Sequence, residues 1–221
     1  MKIPDSRIPK QIPGYKYGYF PSWKMKKSLV HQTGLEADTI EWLDFRKDIS
    51  VIVSHPDINL PYVLEGKGHV YEPDLFCVGS NSWFLGECKA SKYINTAKNQ
   101  AKIQAGIKWC HNHGGDFYVF TDKELYKDYL VKNLRILRRY SRYKIDKQLL
   151  ELIIRRLAPL SNGMPLWAIA EEIDPKNPRS VSPQIHAMIY HHYLYTDLRT
   201  QKLNIEAVIS VVSNKKVKQN A

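Results

Sequence analysis

The sequence predicts an α/β protein with a mixed sheet flanked by helices, followed by a small domain of helices and a β-ribbon. Three observations lead to this fold class. From Thr33 to Leu137, segments with helical periodicity alternate with short runs of β-forming residues. After Arg142 the pattern changes to three helical segments and then one alternating strand. The chain has 221 residues, 43% apolar and 25% charged, which is enough to bury a core.

The first domain, residues 33–143, is predicted to begin with a helix. Thr33-Gly-Leu-Glu36 fits the capping box, in which Thr and Glu satisfy free N–H groups at a helix start. A turn at residues 79–82 separates two β-rich runs. In chain order, the elements are a helix at Leu35–Phe45, strands at Ile49–Val53, Leu60–Leu64, Asp74–Val78 and Trp83–Lys89, a helix at Asn95–Asn112, a strand at Phe117–Phe120 and a helix at Lys123–Leu137.

The second domain, residues 144–221, contains three predicted helices. They cover Lys147–Ala158, Leu166–Ile173 and Val181–Leu194. Ser180 is placed to cap the third helix, and alternating apolar residues from Ile205 to Val211 predict a strand. Three helices followed by a β-ribbon is the order of elements in a winged helix, so we predict a winged-helix-like domain. A helical cap packed on the first domain is the alternative interpretation.

The net charge indicates a polyanionic partner such as nucleic acid. The chain holds 33 Lys and Arg against 22 Asp and Glu, giving a formal charge of +11 and a pI near 9.4. Residues 1–34 hold seven basic residues and one acidic, and residues 123–144 hold eight basic and two acidic. Residues 1–32 form a basic, aromatic N-terminal arm that four prolines predict to be irregular. Its aromatic side chains either stack on bases or pin the arm to the domain.

The sequence argues against several other classes of protein. No apolar run approaches the ~18 residues of a membrane span, and Met1–Gln11 has no apolar segment of the kind found in secretory signals. Cys77, Cys88 and Cys110 are odd in number and lack CxxC spacing, which argues against a disulfide framework or a structural zinc site. We therefore expect a cytoplasmic protein with no membrane partner.

Two carboxylates and one ammonium are predicted to meet at one end of a β-hairpin. If residues 79–82 form a four-residue turn, Asp74 faces Glu87, with Cβ atoms about 4.5–5.5 Å apart. Lys89 lies two residues further along, on the same side of the sheet. Carboxylates this close repel each other unless a cation lies between them. Mg²⁺ suits such a site because it binds a few carboxylates, waters and phosphate oxygens, and Mn²⁺ is the alternative ion.

Glu36 is the candidate for a third carboxylate. On the first predicted helix it shares a stripe with Ile40 and Leu43, so it lies at the head of the buried face. A buried charge needs a partner, which a metal site on the sheet would supply. The alternative is that Glu36 serves only as the capping partner of Thr33. The backbone carbonyl of Cys88 is placed to add a further oxygen ligand for the metal.

The order of these motifs resembles that of the PD-(D/E)xK nucleases, which have the restriction-endonuclease-like fold. A helix carboxylate, Glu36, is followed by Pro73-Asp74 and then by Glu87-Cys-Lys89. The resemblance is closer to TnsA, the family of endonuclease subunits of heteromeric transposases, and covers about residues 20–210. It rests on Leu35–Phe45, Ile49–Pro56, Tyr71–Asp74 and Leu85–Lys89.

The resemblance implies a metal-dependent DNA endonuclease, a hydrolase that cleaves the 5′ strands at transposon ends during cut-and-paste DNA transposition. A TnsB-like transposase would cut the 3′ side and join strands, and a TnsC-like AAA+ ATPase would regulate the complex. By position, Glu36, Asp74 and Glu87 are implied to bind Mg²⁺, and Lys89 is implied to be the catalytic lysine. Some TnsA proteins have Gln at the position of Glu87. The Glu87 of this chain therefore matches the common PD-(D/E)xK nuclease pattern.

Basic residues outside the metal site are expected to contact the DNA. These candidate contacts are Lys24, Lys26, Lys27, Lys98, Lys102, Arg138, Arg139, Arg142 and, on the third helix of the second domain, Gln184. Two rival functions stay open. A free-standing restriction or resolvase nuclease of the same fold would cut DNA alone, and a non-catalytic adaptor would bind DNA and a regulator without cutting.

Overall fold

The computed structural model describes residues 2–9 and 17–212. Contacts between Cα atoms divide the chain into two units, Met1–Lys127 and Asp128–Ala221. Residues 128–143 belong to the second unit by these contacts, whereas the sequence analysis assigns them to the first domain. The predicted domain boundary at residue 143 stays a prediction. Within the described ranges, no helix is both long and apolar enough to cross a bilayer.

The first unit is built around a mixed sheet, as the sequence predicts. Its strands are β1 (Gly18–Pro21), β2 (Ser28–His31), β3 (Ile49–Ser54), β4 (Leu60–Leu64), β5 (Lys67–Tyr71), β6 (Leu75–Gly79), β7 (Trp83–Cys88) and β8 (Asp116–Phe120). Its helices are α1 (Gly34–Phe45), α2 (Ala97–Asn112) and α3 (Asp122–Leu125), with a 3₁₀ turn at Ser91–Tyr93. The sheet has the order β3-β6-β7-β8, in which β8 pairs parallel with β7 and the other pairs are antiparallel.

Alternate residues of the central strands enter two separate apolar clusters. Cys77 of β6 packs with Ile40 and Leu43 of α1, whereas its neighbour Phe76 packs with Cys110 of α2. All five side chains are at most 1% exposed. Burying one large apolar side chain contributes about 1.5–3 kcal/mol, so both helices stabilise the strands that carry the candidate site.

Part of the N-terminal arm forms a hairpin, which corrects the expectation of an irregular segment. β1 pairs antiparallel with β2, and Phe20 and Leu29 are buried in the cluster that contains Ile40. Pro21 is tolerated because it ends a strand of an isolated two-stranded sheet, where its missing N–H breaks no ladder. This part of the arm is therefore pinned to the domain, while residues 10–16 lie outside the described residues.

A second hairpin, formed by β4 and β5, is only half predicted, because the sequence analysis does not find β5. The two strands pair antiparallel from Leu60 with Tyr71 to Leu64 with Lys67. The connecting residues Glu65 and Gly66 have φ values of 51° and 73°. A two-residue turn with positive φ at both positions matches the right-handed twist of a hairpin, so Glu65-Gly66 was the available signal.

The second unit combines helices with a small antiparallel sheet of order β10-β11-β9. Its elements are α4 (Leu130–Arg138), α5 (Lys147–Leu157), β9 (Met164–Pro165), α6 (Leu166–Ile173), a 3₁₀ turn at Pro178–Ser180, α7 (Ser182–Tyr190), β10 (Leu194–Tyr195) and β11 (Val208–Val211). The three helices after Arg142 are present as predicted, and β9 between the first two is an addition. Gly163 precedes β9 with a φ of 73° and leaves no room for a Cβ, because that atom would lie 2.3 Å from the Ile209 carbonyl oxygen.

Several predicted element boundaries are wrong. Lys123–Leu137 is not one helix, because α3 ends at Leu125 and α4 begins at Leu130, whose N–H donates to the carboxylate of Asp128 at 2.9 Å. The third helix ends at Tyr190 instead of Leu194, since His192 has a φ of 60° and Leu194 pairs in the sheet.

The predicted cap of that helix and the last strand are also corrected. Ser180 lies in the 3₁₀ turn, and its hydroxyl donates to Asp174 at 3.1 Å and to the Asn177 carbonyl at 2.8 Å. α7 has no side-chain cap at all. The final strand begins at Val208, later than the predicted start at Ile205.

Asn133 fixes the loop between β10 and β11. Its fully buried amide donates to the carbonyls of Leu198 and Gln201 at 2.9 and 2.8 Å and accepts the Leu203 N–H at 2.8 Å. Asn133→Ala would leave three backbone groups unpaired, so we expect the free energy of unfolding to fall by about 2–4 kcal/mol in urea denaturation. Asn95→Ala, at an exposed position, should change it by less than about 0.5 kcal/mol; equal losses in both variants would contradict this role.

Candidate active site

Asp74 lies at the open end of the hairpin formed by β6 and β7. Phe76 pairs with Leu85, which is the register that the sequence predicts from the 79–82 turn. Beyond this pair, Oδ2 of Asp74 accepts a hydrogen bond from the Cys88 N–H at 2.7 Å. The Asp74 carbonyl accepts another from the His55 N–H at 2.8 Å. Backbone groups of two neighbouring segments therefore hold Asp74 in place.

Glu36 lies in the first turn of α1 and caps it, as one of the two interpretations expects. Its N–H donates to Thr33 Oγ1 at 3.1 Å, and its carboxylate accepts from the Thr33 hydroxyl at 3.0 Å and from the Gln32 N–H at 2.7 Å. The same carboxylate lies 3.5 Å from Nε2 of His55. Burial opposes the charge, but His55 and these hydrogen bonds outweigh it and lower the pKa of Glu36. Capping and a place in the site therefore coexist in one conformation.

Sequence reasoning misses His55, which follows β3. Its side chain is buried, and one donor atom from each of Glu36, His55 and Asp74 lies within 4.8 Å of the others. The signal that could have found it is the antiparallel pairing of β3 with β6. Ser54 pairs with Leu75 in that register, so the next residue of β3 comes beside Asp74.

Glu87 and Lys89 form an ion pair in which Nζ lies 3.1 Å from Oε1. Glu87 is 4% exposed, and its Oε2 has no hydrogen-bond partner among the described residues. Burial raises the pKa of Glu87 even though Lys89 lowers it. Burial also raises the pKa of Asp74, and the charges of Glu87 and Glu36 raise it further. The three carboxylates are thus close enough to repel one another.

These residues fit a divalent metal ion. A cation would relieve the repulsion between the carboxylates of Glu36, Asp74 and Glu87. Oε2 of Glu87 and Nε2 of His55 are buried atoms without a hydrogen-bond partner in the described part of the chain, whereas buried polar atoms normally have one. Carboxylate oxygens and an imidazole nitrogen are common metal ligands in proteins. The arrangement is therefore that of a candidate metal-dependent active site with a lysine beside the carboxylates.

Comparison with known families supports this interpretation. Residues 46–122 match the family model described as TnsA-like endonuclease N terminal. The chain contains a TnsA-like endonuclease domain. The match spans about a third of the chain and includes His55, Asp74, Glu87 and Lys89, whereas Glu36 precedes it. The resemblance seen in the sequence is confirmed for this domain, and no curated protein matches the chain.

The expected DNA contacts near the start of the TnsA-like domain have different environments. Lys24 Nζ donates to two backbone carbonyls at the end of α1, and burial lowers the pKa of Lys24 to about 8. This ammonium stabilises the negative end of the helix and is not free for a phosphate. Lys26 and Lys27 are exposed, and Lys26 Nζ lies 3.2 Å from the centre of the Trp23 ring.

Two further candidates lie on α2 of the TnsA-like domain. Lys98 is exposed, whereas Lys102 is half-buried with Nζ 5.1 Å from the centre of the Tyr71 ring. Burial lowers the pKa of Lys102, although the negative charge of Glu87 opposes this shift. Lys102 is therefore a cation beside the candidate site, and Lys98 lies one turn before it.

Cys88 of the TnsA-like domain lies between Glu87 and Lys89 in the chain, and its backbone N–H donates to Asp74. Its thiol packs in the cluster that contains Ile40 and Leu43 of α1, and burial raises its pKa well above the ordinary value. The role of its backbone carbonyl as a metal ligand stays a prediction.

In the second unit, Arg139 and Arg142 are exposed and Arg138 is half-buried. Gln184 is held by the backbone, because its Nε2 donates to the Lys144 carbonyl at 3.1 Å and its Oε1 accepts the Asp146 N–H at 3.2 Å. Its amide therefore fixes the segment before α5 and is not available to read a DNA base.

Proposed function

We propose that this protein is the endonuclease subunit of a heteromeric transposase and cleaves the 5′ strands at transposon ends by metal-dependent hydrolysis. The observation that carries the proposal is the convergence of Glu36, Asp74, Glu87 and Lys89 at one end of the β6–β7 hairpin. The TnsA-like match of residues 46–122 supports the assignment to a transposase. The acidic donor set supports Mg²⁺, with Mn²⁺ as the alternative.

The proposed chemistry assigns a task to each side chain. Glu36, Asp74 and Glu87 would hold the ion, with the Cys88 carbonyl as a further oxygen ligand. When bound, a divalent ion supplies positive charge beside the scissile phosphate and lowers the pKa of a bound water. Lys89 holds its ammonium 3.1 Å from Glu87, where it can orient the attacking water or stabilise charge growing on the phosphate.

The second unit is proposed to be a winged-helix-like domain that contacts transposon-end DNA. Support comes from the order α5-β9-α6-α7-β10-β11 and from the antiparallel sheet that its three strands form. The loop between β10 and β11, which Asn133 holds, would be the wing. A TnsC-like ATPase is the alternative partner of this domain, and a TnsB-like transposase is the proposed partner in cleavage.

DNA binding by the full chain should weaken steeply as salt rises. The exposed cations Lys27, Lys98, Arg139 and Arg142 are available for phosphates. About four phosphate contacts correspond to a slope of about −3.6 in log K against log salt, or a roughly hundredfold loss between about 50 and 200 mM. Fluorescence anisotropy with a labelled duplex in EDTA measures this slope, and Arg139→Ala should reduce it by about 1. A flat response would contradict the proposed contacts.

Strand-specific cleavage of DNA that carries the cognate transposon ends tests the proposed function. We expect 5′-strand cuts when this protein, Mg²⁺ and the partner transposase are all present. Replacing Mg²⁺ by EDTA should abolish these cuts. Omitting only this protein should remove the 5′-strand cuts and leave the 3′ cuts of the transposase.

Other outcomes of the same assay favour the rival functions. Cuts made by this protein alone would favour a free-standing nuclease. Binding of the DNA without a cut under any condition would favour a non-catalytic adaptor. Cuts on the 5′ strand that persist without this protein would contradict the proposal.

A further inference from the structure

His55 carries a donor atom that the proposed set of carboxylate ligands leaves out. Its side chain is buried, with only 6% of its surface exposed. Nε2 has no hydrogen-bond partner among the described residues, and its distance of 3.5 Å from Oε2 of Glu36 is too long for a good hydrogen bond. Buried polar atoms are nearly always paired, and among the described residues this nitrogen has the long contact with Glu36 but no well-formed hydrogen bond, so a cation bound between them would give both groups a close partner.

The backbone of His55 is held in an unfavourable conformation at this position. Its φ of 47° lies in the left-handed region, which is uncommon for residues other than glycine and costs roughly 1–3 kcal/mol. Two hydrogen bonds maintain it, one from its N–H to the Asp74 carbonyl and one from the Arg7 N–H to its own carbonyl, both of 2.8 Å. Local strain of this kind is concentrated at sites that bind ligands.

We propose that Nε2 of His55 is a direct ligand of the divalent ion, together with the carboxylates of Glu36 and Asp74, and that it makes the site prefer Mn²⁺ to Mg²⁺. The inference rests on the proposed function, because it adds a ligand to the same site. Donor atoms of the three residues lie within 4.8 Å of one another. Donor atoms this close to one another could hold a single divalent ion.

The preference for Mn²⁺ follows from the type of donor atom. Mg²⁺ is bound almost entirely by oxygen and gives up its waters reluctantly. Imidazole is a good ligand for first-row transition ions, and of these Mn²⁺ also accepts carboxylates and water readily. One nitrogen among carboxylate oxygens therefore favours Mn²⁺ relative to Mg²⁺. Glu87 can still contribute through its Oε2, since only its Oε1 pairs with Lys89.

Pulsed electron paramagnetic resonance of the Mn²⁺-loaded full chain tests the ligand directly. We expect a nitrogen coupling that changes from ¹⁴N to ¹⁵N when the histidines are ¹⁵N-labelled, and that is lost in His55→Asn. Asn is the substitution of choice because it tolerates the left-handed backbone. His69→Asn is the matched control, since His69 is exposed and stacks on Tyr62, and this variant should keep the coupling.

Metal titration by calorimetry provides a second readout. His55→Asn should lower the affinity for Mn²⁺ about 10- to 100-fold and change the affinity for Mg²⁺ by less than about threefold. Equal losses for both ions would overturn the proposed preference. If His55→Asn does not fold, the labelled wild-type spectrum still decides whether a histidine binds the ion.

The outcomes separate this inference from the proposed function. Bound Mn²⁺ without any histidine nitrogen coupling would overturn the inference and leave the nuclease proposal standing. Failure of the wild-type protein to bind either ion would overturn the metal site itself and, with it, the proposed function.

Discussion

Asp74→Asn is expected to lower the rate of DNA cleavage by about 10³-fold or more. Metal binding and charge stabilisation contribute several kcal/mol to such a reaction, and about 1.4 kcal/mol corresponds to a factor of ten. Asn keeps an oxygen that can accept the Cys88 N–H, so the local structure should survive. Initial cleavage rates under single-turnover conditions measure the effect. Asp116→Asn, at an exposed position of β8, is the matched control and should retain wild-type activity.

The same variant should make the metal-free protein more stable. The pKa of Asp74 is raised by burial and by the charges of Glu87 and Glu36. An acid whose pKa is raised in the folded state destabilises that state once the pH exceeds its ordinary pKa of about 4. Removing the charge should therefore raise the free energy of unfolding at pH 7, measured by urea denaturation in EDTA. A fall in the free energy of unfolding would show that Asp74 mainly serves the fold.

Lys89→Met is expected to lower the cleavage rate by about 10²- to 10⁴-fold while the three carboxylates proposed to bind the metal remain. Met preserves most of the apolar side chain but removes the ammonium that lies 3.1 Å from Glu87. Single-turnover cleavage and Mn²⁺ titration on the same preparation separate chemistry from metal binding. Lys108→Met, at an exposed position of α2, should cleave at the wild-type rate. A parallel loss of metal affinity and rate in Lys89→Met would contradict the assigned role.

A double variant guards against a loss caused by misfolding. Lys89→Met leaves the buried charge of Glu87 without its cation, so the free energy of unfolding should fall by up to about 3 kcal/mol. Adding Glu87→Gln should recover much of that stability, because the unpaired charge is removed, but cleavage should stay well below that of Glu87→Gln alone, which lacks the same carboxylate. Equal cleavage by the double variant and by Glu87→Gln would show that Lys89 acts only through the fold.

Much of the candidate site is predictable because it is local in the chain. Asp74 and Glu87 belong to one hairpin, whose register follows from the length of a single turn, and the pairing of Phe76 with Leu85 confirms that register. Glu36 is found because its cap, Thr33, lies only three residues away. In both cases the geometry depends on short stretches of sequence with well-known turn and cap chemistry.

The parts that sequence reasoning misses depend on contacts between distant segments. His55 comes beside Asp74 only through the pairing of β3 with β6, and a hairpin whose second strand was not predicted separates those strands. The sequence predicts that Lys24 contacts a phosphate. In the structure, the packing of β1 and β2 places its ammonium against the backbone carbonyls at the end of α1. The break after Leu125 is different, because it is marked locally by Asp128, whose carboxylate accepts the Leu130 N–H, while apolar residues continue on both sides of it.

The position of Cys88 has a consequence for how cleavage can be regulated. Its thiol is locked in the apolar core, while the residues on either side, Glu87 and Lys89, face the site. The spacing of these two groups is therefore set by a buried residue whose N–H donates to Asp74, so we expect this amide to exchange hydrogen slowly. A regulator could therefore change the spacing of Glu87 and Lys89 very little. Under the proposed function, control would therefore act on the delivery of DNA and partner proteins to the site.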